Sequence, residues 1–550
     1  MAKVSADHLK RLREQVEAIR DTEPSDFHEI IVKAGTENDA EDAFSRSIAT
    51  TLRKRSMSTS ARDVLPSKRV DEAAVVRSSQ RKGVASSSRF VAAAQAVNDL
   101  SLSGSADRLP KGSGDGEELA GKSMGAIISL LRQTSMAALQ QVTSALQEAM
   151  PQRATAAAAT ASKRAGAGRK GVAFRPREFW SSGSILLRVA GKDLANLYSD
   201  ALAEKIEAVF PNRRVTLPPA VAPNRIPHWI EDNKVSGWGV RSIGALGVWG
   251  AFNARGAGVR IALLDTGIDP THPDLAGKID AWEEFDERGD PVPGSKPYDS
   301  DRHGTHCAGI MVGGNANGRW IGVAPEARIA AALVLNGERG GTHAQILAGM
   351  EWAINQKVDV INMSLGGLMW GPDVPSTYTS AIMNALRVGI PVVTAIGNEG
   401  SQTSGSPGND ILAFAVGATD FLNRAAGFSG GRTQVIRQSP FFSKDLLPLV
   451  YSKPDISAPG VAIESSVPGG KWEHFNGTSM AAPHVAGAIA LLLSATAIRD
   501  RVDPAERALL LQDLLTGSAE ELGEAGQNHR FGFGRVDILR AVGFARDLGY

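Results

Sequence analysis

The feature that most constrains this chain is a repeated alternation in its second half. Val259 to Leu264, Arg328 to Leu335, Val358 to Met363, Pro391 to Ala395 and Ala413 to Val416 are short, nearly continuous apolar runs, each bounded by Gly, Pro, Asp or Asn. Helical patterns lie between them, at Thr342 to Gln356 and Tyr378 to Val388. Strands apolar on both faces and separated by helices specify an α/β fold with a central, mostly parallel sheet covered by helices on each side. In such a sheet, function gathers at the carboxyl ends of the strands.

Composition narrows the remaining choices. The 550 residues carry Lys+Arg 60 against Asp+Glu 59, and 43% are hydrophobic. That balance excludes nucleic-acid binding through bulk attraction and argues against wholesale disorder. Cys307 is the single cysteine, so an intramolecular disulfide framework and multi-cysteine metal sites are excluded. Met1 to Gln15 lacks the continuous apolar segment of a signal peptide, and no run of roughly 18 apolar residues reads as a membrane span. The default expectation is a cytoplasmic protein, with export by a route without a classical signal left open.

Composition also divides the chain near residue 220. Before it, Leu9, Leu12, Val16 and Ile19 form the stripe of a short amphipathic helix, and Glu29 to Lys33 reads as a strand followed by a helix over Asp39 to Lys54. Ser56 to Gly116 reads as largely mobile, with a helix at Phe90 to Leu100, and Ala154 to Lys170 as a basic linker. Met124 to Met150 is an amphipathic helix and the best candidate for docking on a regulatory partner. Ile185 to Val189, Leu194 to Phe210 and Arg214 to Leu217 read as strand, helix and strand. The resulting division is an N-terminal extension over 1–170, a small α/β unit with its tether over 171–225, and a large domain over 226–550.

Three segments of the large domain carry chemistry. Asp265, at the end of the run Val259 to Leu264, precedes Thr266 and Gly267; His303-Gly304-Thr305-His306 opens a small-residue helix; Gly477-Thr478-Ser479-Met480 enters an apolar helix. A serine hydroxyl is a poor nucleophile near neutral pH. It needs a base, and the base needs a carboxylate to fix its tautomer and stabilise its charged form. Asp265, His303 and Ser479 supply those three groups.

The segments Asp265-Thr266-Gly267-Ile268-Asp269, His303-Gly304-Thr305-His306-Cys307-Ala308-Gly309 and Gly477-Thr478-Ser479-Met480-Ala481-Ala482-Pro483-His484 resemble the three active-site motifs of the subtilisin-like (subtilase) serine proteases, in order. The similarity extends over about Trp238 to Val542. It implies a subtilisin-like three-layer domain and a serine endopeptidase acting on protein or peptide substrates. Asp265 would orient His303, His303 would take the proton of Ser479, and Asn398 would be the oxyanion asparagine. The resemblance also implies substrate-binding walls at Ser364-Leu365-Gly366-Gly367 and at Ala395-Ile396-Gly397, with Glu399 near the rim. A large apolar or aromatic residue is then expected before the cleaved bond, with a basic one tolerated.

No cofactor is implied for the chemistry. Calcium is the usual structural ion of the family, for which Asp274 and the loop residues Asn315 and Asn317 are candidate ligands, although Arg319 in that loop argues against a cation. The small α/β unit lies where subtilases carry an inhibitory prodomain, which makes this segment the expected intramolecular inhibitor. The tether Pro218 to Pro223 would reach the cleft, and cleavage is expected between Leu217 and Ile226. Gly430 to Lys453 is longer than a minimal connection. It leaves open a surface loop, a substrate-rim element or an exosite, and is the only candidate for the lid of a peptide ligase, the alternative to hydrolysis; a binding module with a degenerate protease half is opposed by the intact Asp265, His303, Asn398 and Ser479.

Overall fold

Strand β1 (Phe27–Ala34) lies in the middle of an antiparallel sheet whose other members are β2 (Arg177–Phe179), β3 (Ser184–Ala190) and β4 (Ile206–Pro211), in the order β2-β3-β1-β4. The computed structural model describes residues 6–22, 27–35, 121–149, 175–217, 227–231, 233–369, 377–437, 439, 442 and 447–550. The expected helices at Asp39 to Lys54 and Phe90 to Leu100, the linker Ala154 to Lys170 and the tether Pro218 to Pro223 lie outside those residues.

The boundary expected at residue 170 does not separate two folding units. Lys33 pairs with Ser184 and also with Ala208, so the early strand is the centre of the later unit's sheet. Helices α1 (Ala6–Thr22) and α2 (Met124–Ala149) cover one face of this sheet. Leu12, Val16 and Ile19 of α1 and Leu139, Val142 and Leu146 of α2 pack there with Ile30, Val32 and Ile185. The strand-helix-strand reading of 185–217 also changes. Leu194 to Phe210 is a 3₁₀ turn over Gly191–Tyr198, one helical turn over Asp200–Ala203, and then β4. Ile206, Ala208 and Val209 are buried, Glu207 pairs with Lys33 of β1, and β1 offers a strand edge to pair with, so tertiary pairing overrides the local helical pattern.

The opposite face of the sheet packs on the large domain. Ile31, Phe179 and Leu186 alternate with the residues above and enter a second core together with Ile127 and Ile128 of α2. Both ends of the apolar stripe of α2 are therefore satisfied within the chain, which removes it as an open docking face. A short strand β5 (Arg214–Val215) then leaves the unit.

In the large domain the strands are β6 (Arg260–Asp265), β7 (Ile279–Glu284), β8 (Arg328–Leu333), β9 (Gly341–Thr342), β10 (Val360–Met363), β11 (Gly367–Leu368), β12 (Val392–Ala395), β13 (Gly405–Ser406), β14 (Phe414–Thr419) and β17 (Ile456–Pro459). Seven of them form one parallel sheet in the order β17-β14-β12-β10-β6-β8-β7. Helices α3 (His303–Val312) and α6 (Thr478–Ala495) cover one face, and α4 (His343–Asn355) and α5 (Thr379–Arg387) the other. Ile261 and Leu263 enter the core beneath α3 and α6, and Ala262 and Leu264 the second core on the opposite face, which is why these strands read as continuous apolar runs.

Helix α6 is long and apolar enough by composition to span a membrane, but 89% of that stretch is buried inside the protein. It is the central core helix. The chain runs outward from β6 to β7 and β8, then returns past β6 to β10, so the order reverses between β6 and β10. That switch point opens a crevice at the carboxyl ends of these two strands.

The segment Gly430 to Lys453 is a hairpin of β15 (Arg432–Ile436) and β16 (Leu449–Lys453). Its base braces the stretch after β12: Gly430 N donates to Gly397 O (2.9 Å), Gly431 N to Thr403 O (2.9 Å) and Gln434 Nε2 to Ser404 Oγ (2.7 Å).

Candidate active site

Asp265 is the last residue of β6, at the crevice, and is fully buried. The Thr266 amide donates to its Oδ1 (2.7 Å), and His303 Nδ1 donates to the same oxygen at 2.8 Å. His303 is the first residue of α3, so its ring is held at a helix start facing the strand end. With Nδ1 committed to the carboxylate, Nε2 is the nitrogen left to accept a proton. Burial pulls the imidazole's pKa down, but the Asp265 charge and hydrogen bond, with Cys307 beside it, raise it well above the ordinary value.

Ser479 is the second residue of α6 and is buried. Its Oγ donates to Ser364 O (3.3 Å), while its own carbonyl accepts from Ser364 Oγ (3.0 Å) and from Cys307 Sγ (3.4 Å). Cys307 Sγ also lies 3.8 Å from His303 Nδ1. One sulfur thus touches both the histidine and the serine backbone, and the two elements that carry them, α3 and α6, pack together. In this arrangement the serine hydroxyl is turned to Ser364, so transfer of its proton to His303 requires the hydroxyl to reorient, as is common without substrate.

Asn398 follows β12 by three residues. Its Oδ1 accepts from Thr478 N (2.8 Å) and Thr478 Oγ1 (2.9 Å), which orients the amide beside Gly477; a Cβ placed on Gly477 would lie 3.3 Å from Asn398 Nδ2. The asparagine is therefore fixed by the residue immediately before Ser479. Its amide nitrogen lies beside the turn at Gly477.

The two expected walls meet. Ser364 to Gly367 follows β10, and β11 pairs with β13, joining Gly367 to Ser406 and Leu368 to Gly405. Gly405 N donates to Ile396 O (2.8 Å), tying the same turn to the wall Ala395-Ile396-Gly397. Gly397 has φ +115°, a backbone conformation that favours glycine, and a Cβ there would require the Glu399 carboxylate, 2.7 Å away, to shift. Glu399 Oε2 is buried with no hydrogen-bond partner among the described residues.

The expected calcium ligands are engaged with protein donors. Asp274 is buried, with Oδ1 accepting from Ala316 N (2.7 Å) and Oδ2 from Trp472 Nε1 (2.6 Å). Asn315 and Asn317 are exposed, and Asn317 Oδ1 accepts from Arg319 N (3.1 Å). These residues do not fit the ion, because the one carboxylate is already spent on neutral donors. Asp265, His303 and Cys307 offer ligand atoms within 4.8 Å of one another, but Asp265 Oδ1 and His303 Nδ1 are spent on their mutual hydrogen bond.

One carboxylate beside the Asp265–His303 pair carries no local signal in the sequence. Asp299 is partly buried and accepts from Thr266 Oγ1 (2.7 Å), Thr305 N (2.7 Å), Thr305 Oγ1 (2.5 Å) and Asp301 N (3.0 Å). It ties the residue after Asp265 to the second residue after His303.

Comparison with known proteins places the chain in a family. The model of the Subtilase family matches residues 256–534. The chain is 40% identical over 284 residues to "Intracellular serine protease" of Paenibacillus polymyxa, covering 50% of this chain and 78% of the relative. It is 39% identical over 260 residues to "Subtilisin NAT" of Bacillus subtilis subsp. natto, covering 45% and 60%. Against "Major intracellular serine protease" of Bacillus subtilis (strain 168) the identity is 38% over 258 residues, covering 46% and 74%.

Proposed function

The chain belongs to the subtilase family and is a subtilisin-type serine endopeptidase, and from that premise we propose that Asp265, His303, Ser479 and Asn398 are its catalytic groups in a self-inhibited zymogen. The observation that carries the assignment is the 2.8 Å hydrogen bond from His303 Nδ1 to Asp265 Oδ1, beside the helix start that presents Ser479. His303 Nε2 takes the Ser479 proton as Oγ attacks the scissile carbonyl. The carbonyl oxygen becomes an oxyanion held by the Asn398 amide and the Ser479 backbone N–H. Collapse expels the amine leaving group, protonated by His303, and water then hydrolyses the acyl-enzyme by the same route. No cofactor enters this chemistry.

The N-terminal unit is read as the prodomain. Its support is a set of contacts with the large domain: Ser181 N to Glu351 Oε2 (3.1 Å), Asn384 Nδ2 to Ser181 O (2.8 Å) and Ala344 N to Asn212 Oδ1 (3.0 Å). Its exit strand β5 pairs antiparallel with β9, Val215 opposite Gly341. The inhibitor is then the unit built from residues 6–22, 27–35, 121–149 and 175–217, including segments expected to be a separate extension.

Protein or peptide substrates with a large apolar or aromatic residue before the cleaved bond suit the glycine-walled pocket, and the buried Glu399 Oε2 suits a basic one. Two relatives carry the word intracellular in their names, which supports a cytoplasmic site of action. A fluorophosphonate probe should label the wild type and spare Ser479→Ala. Labelling of both proteins would remove Ser479 from the role. N-terminal sequencing of the active enzyme should find a start between residues 218 and 226, and mass spectrometry should find hydrolysed rather than joined peptide ends.

A further inference from the structure

We infer that Arg319 replaces a divalent cation as the cross-link of the loop after α3, so that this loop needs no calcium to hold its place. The loop 313–320 follows α3 and must be tied to its surroundings, because its residues 315–318 are exposed. The Arg319 side chain turns inward instead. Its Nε and its Nη2 donate to Glu464 Oε2, and its Nη1 reaches Asn233 O at 3.4 Å. Glu464 lies in β18 (Ile463–Val467), while Asn233 belongs to the segment that enters the large domain and accepts Val235 N and Ser236 N on its Oδ1 (2.9 and 3.0 Å). One guanidinium thereby joins three segments distant in sequence.

The charge arithmetic supports the replacement. The pair is nearly enclosed, with side chains 11% and 14% exposed, so the guanidinium already neutralises the glutamate in a poorly solvated place. Nearby, the Lys278 ammonium donates to Val312 O at the end of α3. A doubly charged ion at this loop would face these fixed cations, and the two Asp274 oxygens that might balance it already accept Ala316 N and Trp472 Nε1. A hard cation needs six to eight oxygen ligands, and this loop has directed its acceptors to protein donors: Gly314 O to Ile321 N and Asn315 O to Gly318 N. Arginine suits the task because its planar fork reaches a carboxylate and a carbonyl at once.

The test is thermal unfolding of the full chain in the Ser479→Ala background, which prevents self-digestion and reads stability without requiring catalysis. The same transition midpoint is expected in EDTA and in millimolar calcium chloride. Arg319→Gln should lower the midpoint by several degrees in both buffers, because it strands Glu464 in an enclosed site. Adding Glu464→Gln to Arg319→Gln should restore part of the loss, and Arg319→Lys should fall between, keeping the charge without the fork. A calcium-induced rise in the parent that Asp274→Asn abolishes would overturn the inference. So would an Arg319→Gln chain that melts with its parent in EDTA.

Discussion

The amide of Ser181 donates to the Glu351 carboxylate across 3.1 Å, joining the N-terminal sheet to helix α4. Burial raises the pKa of this glutamate from 4.5 to about 7, against the opposing pull of the Ser181 hydrogen bond and of Arg177 and Arg132. If release of the N-terminal unit returns Glu351 to solvent, the docked form holds the proton more tightly than the released form. Docking is then strongest below about pH 4.5, and that advantage is lost as pH rises through about 7. The full chain should therefore be more weakly inhibited at pH 8 than at pH 5.5, by roughly tenfold or more beyond the change seen with Glu351→Gln. Peptide hydrolysis by both proteins at the two pH values checks this; equal ratios would remove Glu351 as the cause.

Asn398→Ala should reduce turnover while leaving KM nearly unchanged, because the amide acts on charge that exists only in the transition state. For the corresponding asparagine of subtilisin the loss is about 100- to 1000-fold, a magnitude taken from that relative. Since Asn398 Oδ1 also holds Thr478, the Asn398→Asp variant should keep that contact and still lose activity. Steady-state kinetics of both variants distinguishes loss of the oxyanion donor from loss of the turn.

Both the parallel sheet and the motifs were legible because each depends on contiguous residues. β6 and β10 are buried on both faces, and Asp265 follows its apolar run directly. The rest depended on pairings between distant segments. β1 finds β3 and β4 across more than 140 intervening residues, and nothing near Phe27 announces them. Asp274 sits in a ligand-like motif, yet Trp472, 198 residues later, occupies one of its oxygens. The hydrogen-bonding capacity of a carboxylate can be read from its residue type, whereas its consumption cannot.

Asp299 holds Thr266 and Thr305, which flank the two residues of the Asp265–His303 pair. Burial raises its pKa, while the hydrogen bonds from Thr305, Thr266 and Asp301 oppose the rise. Asp299→Asn replaces an acceptor by a donor against these hydroxyls and amides, so strand end and helix start should lose their fixed spacing. Misplacement at this scale costs up to about 100-fold in rate. We expect turnover to fall roughly tenfold to a hundredfold, KM to change little, and the acidic limb of the kcat/KM profile to move as the Asp265 contact with His303 loosens. A loss of stability with an unmoved profile would assign Asp299 a purely structural role.

Cys307 lies one turn into α3, between the catalytic elements, with its sulfur 3.8 Å from His303 Nδ1 and donating to Ser479 O at 3.4 Å. Burial raises its thiol pKa, opposed by the neighbouring His303 charge, so the thiolate that alkylating reagents require is disfavoured. Iodoacetamide at pH 8 should therefore inactivate the wild type no faster than Cys307→Ala. That substitution removes one buried atom and should cost about 1 kcal/mol of stability with turnover changed less than about threefold. Cys307→Met adds volume to a fully packed position and must displace either the imidazole or the Ser479 backbone. Its turnover should fall at least about tenfold, and the contrast between a tolerated small residue and a damaging large one would show that the sulfur acts as a spacer.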